Sequence, residues 1–168
     1  MLLVMAFATI SFAQVGNGYD NAIGVRVGLH NTYELSYQRY VFPSGRIEGT
    51  AGVQKYNGLN DFNIHAVYQW MVQIPTGGRG TLQWYPGVGA QMGNWTRGIF
   101  DFRDNKGHWN GVNSKKGFSC GAVAQVGIEY TFGRLPLMVS ADYRPVFYFM
   151  QESKVTWYNM ALAVRYCF

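Results

Sequence analysis

The sequence predicts an all-β fold, an eight-stranded antiparallel up-and-down barrel. Three observations carry that prediction: period-two alternation, a composition rich in Gly and aromatics but poor in charge, and connections that alternate between short and long. Period two is the spacing of a strand with unlike faces, whereas a helix repeats at three and four. Of 168 residues, 17% are aromatic, 21 are Gly and 14% are charged, against roughly a quarter charged in soluble domains. The length fits one domain.

Residues 2–12 (LLVMAFATISF) form an apolar run of secretory length, too short to span a bilayer as a helix. Ser11, Phe12 and Ala13 place small residues at −3 and −1 of a cut before Gln14, although no Lys or Arg precedes the run. The expected organisation is a secretory signal peptide over 1–13 and a barrel over 14–168. No later stretch has eighteen consecutive apolar residues, so a helical anchor is not expected.

Eight runs follow. In the first, Ile23, Val25, Val27 and Leu29 oppose Ala22, Gly24, Arg26 and Gly28. In the second, Tyr33, Leu35, Tyr37 and Val41 oppose Glu34, Ser36 and Gln38, with Arg39 at the rim of the apolar face. The third sets Ile47, Gly49, Ala51 and Val53 against Arg46, Glu48, Thr50 and Gln54. The fourth sets Phe62, Ile64, Ala66, Tyr68, Trp70 and Val72 against Asn63, His65, Gln69 and Gln73. Leu82, Trp84, Val88, Ala90 and Met92 alternate with Gln83, Gly87, Gly89 and Gln91 in the fifth. The sixth runs from Phe118 to Phe132, the seventh from Leu137 to Phe149 and the eighth from Tyr158 to Phe168. Pro86 and Pro145 fall inside strands, and a residue without an N–H predicts bulges or local irregularity there.

The connections at 42–45, 75–80 and 133–136 are short and rich in Gly or Pro, while 94–117 is long, polar and charged. Short turns at one end and a long loop at the other is the arrangement of an outer-membrane barrel, which makes 94–117 extracellular.

An alternating strand also fits a soluble calycin-like barrel, so the faces decide. All five lysines (Lys55, Lys106, Lys115, Lys116, Lys154) fall in predicted loops or at strand ends. Strand centres carry Arg26, Glu48, Glu129, Asp142, Arg144 and Arg165 among Gly, Ser, Gln and Ala. Mixed charges among small residues suit a narrow lumen in which each needs a partner. The apolar face is small or aliphatic at its middle (Ala66, Val88, Ala122, Val139, Leu162). Its ends are aromatic, with Trp70, Trp84, Tyr130, Phe132, Tyr166 and Phe168 toward the short turns and Phe62, Phe118, Phe147 and Phe149 toward the long loop. Two aromatic girdles around an aliphatic band match a bilayer and its interfaces.

The final run, 157–168 (WYNMALAVRYCF), ends in Phe168 with aromatics alternating before it. It resembles the C-terminal signal by which barrel-assembly machinery recognises outer-membrane proteins. The mature chain is similar to small OmpX-like and OmpA-barrel-like proteins, and in particular to outer-membrane β-barrel proteins of Bacteroidetes. Segments 22–29 (AIGVRVGL), 137–149 (LMVSADYRPVFYF) and 163–166 (AVRY) carry the resemblance. It implies the fold and the bacterial outer membrane, and it specifies no activity.

For function, eight strands leave room for little beyond side chains, which disfavours a general porin. The six central charges are expected to pair across the lumen: Glu48, Glu129 and Asp142 with Arg26, Arg144 and Arg165. A proton or ion relay through them is the sharper alternative. An enzyme acting on lipid A, an acyltransferase or deacylase, would need a His near a Ser or carboxylate at the outer rim. His108 with Asp101, Asp104 and Ser114 supplies those types, while His65 is expected to be a structural lumen histidine. The long loop mixes Trp95, Phe100, Phe102 and Trp109 with Arg97, Arg103, Lys106, Lys115 and Lys116, against Asp101 and Asp104 only. Aromatics among cations suit lipopolysaccharide phosphates, a host surface or a protein partner.

The net charge of +5 is spread along the chain rather than clustered, so nucleic-acid binding is not expected. Cys120 and Cys167 lack the paired spacing of a metal or redox site and are placed too far apart for a disulfide. A monomer without metal or cofactor, non-enzymatic, with a structural or surface-interaction role, is the expectation.

Overall fold

The computed structural model describes residues 19–29, 31–56, 59–77, 80–99, 113–149, 155–157 and 159–168. The expected export segment 1–13 lies outside them. The chain forms a closed antiparallel barrel of eight strands. They are β1 (Asn21–Gly28), β2 (Thr32–Phe42), β3 (Gly45–Tyr56), β4 (Leu59–Trp70, resuming as Val72–Ile74), β5 (Thr81–Ile99), β6 (Asn113–Thr131), β7 (Leu137–Tyr143, resuming as Val146–Tyr148) and β8 (Val155–Thr156 and Met160–Cys167). Each strand pairs with the next, and β8 closes on β1 from Ala22↔Cys167 to Gly28↔Ala161.

Closure fixes the stagger. Cross-strand partners lead from Leu137 through Tyr166, Ile23, Tyr37, Gly49, Ala66, Ala90 and Ala122 back to β7 at Phe147, ten residues along the same strand. Eight strands with that stagger enclose a space that side chains fill.

The alternation is inside-out relative to a soluble protein. Leu162 and Leu35 are 68% and 67% exposed, whereas Arg26, Arg46, Arg144 and Arg165 are fully buried. Outward aromatics meet edge-on near the barrel ends, Tyr68 with Trp70, Tyr130 with Phe132, and Phe147 with Trp157. Arg39 is half-buried at the turn end, opposite Asn21 and Ile47.

The two prolines interrupt the ladder in different ways. Pro86 keeps its place opposite Val126 in an unshifted β5–β6 register. The β4–β5 ladder stops at Gln69↔Gly87 and resumes in the same register at Val72↔Trp84, a gap beside the residue that has no N–H to give. Pro145 interrupts β7, and the irregularity lies on its neighbour. Tyr143 pairs with Met160 but Val146 pairs with Thr156, so β8 carries one extra residue between Thr156 and Met160.

One boundary expectation is corrected. The loop placed at 94–117 is largely strand at both ends, because β5 and β6 stay paired as far as Ile99↔Asn113. β4 leaves β5 at Asn63↔Gly93 and β7 leaves β6 at Gly121↔Tyr148, so 94–99 and 113–119 form a two-stranded ribbon beyond the wall. Outside an apolar belt a ribbon need not carry one apolar face. The period-two contrast that marks a strand in sequence therefore vanishes there.

Candidate functional site

The lumen is built from the inward positions of the strands. Glycines supply the room: a Cβ on Gly24 would sit 2.8 Å from Arg165 Cγ, and one on Gly52 2.7 Å from Glu34 Cγ. The long side chains that fill the barrel pass through the space those two residues vacate.

Glu48, from β3, lies at the centre. Its Oε1 accepts hydrogen bonds from Arg165 Nη2 at 2.6 Å and Ser36 Oγ at 2.7 Å. Its Oε2 accepts from Gln69 Nε2 at 2.6 Å and Arg144 Nη2 at 3.0 Å. Arg165 also donates from Nε to Ser36 at 2.8 Å and from Nη1 to Ser140 at 2.7 Å. Toward the turns, Arg46 grips Glu129 with two bonds of 2.9 Å and donates from Nε to Gln69 Oε1 at 2.7 Å. Its guanidinium lies over the rings of Tyr40 and Tyr85, 5.5 and 5.2 Å from their centroids. Toward the loops, Arg26 is paired with Glu34 and donates to Asp142 from Nη2 at 2.7 Å.

The buried ions among the described residues are Arg26, Arg46, Arg144 and Arg165 against Glu34, Glu48, Glu129 and Asp142. Four cations face four anions, so with His65 neutral the lumen has no net charge. The chain's surplus of +5 therefore belongs to residues outside it. All six charges expected in the lumen are there, but one expected pairing differs. Glu129 meets Arg46, whereas Glu48 takes both Arg144 and Arg165. The reason is register: Arg46 lies two positions from Glu48 on the same face, one layer nearer the turns. Arg46 and Glu34 were absent from the expected network, although the same alternation placed both on the polar face.

His65 is buried, with Nδ1 3.1 Å from Thr50 Oγ1 and 3.4 Å from Glu34 Oε1. Both neighbours approach the same ring nitrogen. A nucleophile–base–carboxylate relay needs the two nitrogens engaged separately, so His65 is built as a packing and hydrogen-bonding group. Small recesses flank the central network. One of about 20 Å³ at the loop end borders Glu34, His65 and Tyr148, and one of about 10 Å³ at the turn end borders Gln38, Tyr40 and Cys167. Each is of the size that holds about one water.

Four of the binding residues expected from the sequence lie among the described residues. Trp95 and Arg97 lie on β5 and Lys115 and Lys116 on β6, with Arg97 directly across from Lys115 and Thr96 across from Lys116. Like charges on one rung are unfavourable unless an anion offsets them. Phe100, Arg103, Lys106 and Trp109 lie outside the described residues, as do His108, Asp101 and Asp104. Ser114 is on β6 opposite Gly98. Cys120 is half-buried and Cys167 buried, and both are free thiols. Among the described residues, no group of three or more His, Cys, Asp or Glu is placed to hold a metal ion.

The chain is similar in structure to the N-terminal β-barrel domain of Pseudomonas aeruginosa OprF, with a TM-score of 0.64 and 14% sequence identity over 92% of this chain and 100% of that one. At that identity the likeness establishes the fold alone, a closed eight-stranded antiparallel barrel. No protein-family model matches the chain. No curated protein matches it either.

Proposed function

We propose that the protein is a non-enzymatic integral barrel of the bacterial outer membrane, with a structural role inside the membrane and an interaction surface on the ribbon beyond it. The observation that carries this reading is the central Glu48, which ties β3 to β8 through Arg165 and to β7 through Arg144. Such a network cross-braces the wall and occupies the space a channel would need. The apolar exterior and its aromatic ends support membrane residence, and the neutral lumen leaves the cationic surplus to residues outside it.

In this reading residues 1–13 direct export, and the C-terminal strand ending at Phe168 engages the barrel-assembly machinery. The barrel is a monomer in this reading. It contacts outer-membrane lipids and lipopolysaccharide and does not bind nucleic acid. The ribbon meets anionic groups through Arg97, Lys115 and Lys116, joined by Trp95, Phe100, Arg103, Lys106 and Trp109.

Planar-bilayer recording tests the closed lumen: purified barrel should give no steady conductance, and a persistent open level would overturn the structural reading in favour of a narrow pore. Lipid A mass spectrometry on membranes with and without the gene tests the absence of catalysis. An unchanged acyl pattern is expected, and an altered one would make this an acyltransferase or deacylase.

A further inference from the structure

The outer wall carries an open groove of about 730 Å³. Its origin is visible in one row of cross-strand neighbours, Trp84, Ile128, Ala141, Leu162 and Val27. Ala141 is the small member of that row, set between two large aliphatic side chains. From this row the groove extends toward the loop end, where Met160 and Leu29 border it, Leu29 N–H donating to Met160 O at 2.9 Å. Among the described residues, no charged side chain reaches into it. Asp142 borders it through its backbone but turns its carboxylate inward to Arg26.

The groove is continuous with the exposed apolar belt, in which Val25, Val27, Val126, Val164 and Leu162 are all outward. Beyond its loop end, outside the residues that line it, lies the cation Lys55. Asn31, two residues beyond Leu29, accepts a hydrogen bond from the Lys55 amide at 3.1 Å, and the Lys55 side chain is exposed. Lys55 stands on β3, two strands from β1, on the order of 10 Å across the wall.

We propose that this groove holds an acyl chain of one lipid A molecule, with Lys55 at the level of its phosphate. The inference rests on the outer-membrane reading above and adds a defined lipid site to it. The chain's methylenes lie over Ala141 between Ile128 and Leu162, and the groove's opening toward Leu29 sets the head group at the loop rim. A saturated chain suits an open trough of predominantly apolar lining, where each buried methylene adds to retention.

The test uses the refolded full chain in dodecyl maltoside micelles doped with lipid A, read by native mass spectrometry. Wild type should retain one lipid A. Ala141→Trp, which fills the groove with an outward side chain, should lower retention at least about tenfold by excluding methylenes from the wall. Ala66→Trp, an outward position three strands away on β4, should retain lipid A as wild type does, and Lys55→Gln should retain less of it. Ala141→Leu serves if the Trp variant fails to refold. Equal retention by wild type and Ala141→Trp would overturn the proposal, as would loss in Ala66→Trp to the same degree. Two barrels bound to each other through this face, in place of a lipid, would overturn it too. A barrel that inserts in bilayers but holds no lipid A would sink this inference alone, whereas failure to insert would sink the membrane reading beneath it.

Discussion

Arg165 Nη2 donates to Glu48 Oε1 at 2.6 Å although the two residues stand 117 positions apart. The bond joins the last strand to the third through the middle of the barrel. It therefore braces the closed barrel across its lumen. Because Glu48 also binds Arg144, one carboxylate offsets two guanidinium groups, and both arginines have further oxygen acceptors at Ser36, Ser140 and Thr50.

Removing that carboxylate should therefore cost more than a surface ion pair would. Glu48→Ala takes from Arg165 its carboxylate partner and leaves Arg144 only the longer contact to Glu34 at 3.7 Å, and breaking a buried pair from one side costs about 3–5 kcal/mol. Urea unfolding in detergent micelles, followed by the heat-dependent gel shift of folded barrels, should show the midpoint fall accordingly. A midpoint unchanged within error would mean that the lumen network contributes nothing to stability.

Tyr85 separates packing from hydrogen bonding. Its hydroxyl is buried without a partner, while its ring stacks on Arg46. Tyr85→Phe keeps the ring and removes an unsatisfied group that costs about 1–3 kcal/mol, so stability should hold or rise. Arg46→Met should do the opposite, because Glu129 loses its bidentate partner. The same unfolding assay decides. A destabilised Tyr85→Phe would show that the hydroxyl has an occupant, such as a bound water.

Much of this barrel was legible because its two faces differ so sharply. On β1, Arg26 among Ile23, Val25 and Val27 marks the inward register with one residue, and the strict period of the strand carries that register along. The charge pairing was less legible, since partner choice depends on barrel stagger. Arg46 and Glu129 face each other only because successive strands slip by the amount that closure demands, and no local pattern encodes that slip. The ribbon ends at 94–99 and 113–117 were illegible for a different reason: polar residues on both faces look like loop. The groove at Ala141 was hidden too, since its shape arises from neighbours on four other strands.

Gly24 offers a steric test of the filled lumen. A side chain there would run into the stem of Arg165, 2.8 Å from its Cγ, and into the β8 backbone. Gly24→Val should fail to close or lose more than about 1–3 kcal/mol, the range for overpacked interiors. The readout is the fraction of refolded protein that migrates as compact barrel. Normal yield and stability would indicate a looser lumen than the one described. Gly49→Val is the control, because an outward Cβ there meets nothing within 4 Å.

The thiols give a test of placement. Cys167 is buried at the turn end, and Cys120 is half-buried opposite Met92 on the outer wall. In folded protein an apolar maleimide should label Cys120 and spare Cys167, with both labelled after unfolding. Faster labelling of Cys167, or a mass two hydrogens short from an internal disulfide, would contradict the strand map.

The ribbon allows function to be separated from fold. Ile99 and Asn113 form its last described rung, so residues 100–112 can be replaced by Asn-Gly, a two-residue turn whose twist suits antiparallel strands. The barrel's own contacts lie below that rung, and its unfolding midpoint should stay within about 0.5 kcal/mol of wild type, as for changes away from packed features. Binding to lipopolysaccharide-coated surfaces should drop, and drop further when Arg97→Gln and Lys115→Gln remove the like-charged rung. Because cation–phosphate contacts are screened, the wild-type signal should also weaken from low salt to 0.5 M, where the screening length is only about 4–5 Å. Binding that survives the loop replacement, the two substitutions and added salt would remove the ribbon as the interaction surface.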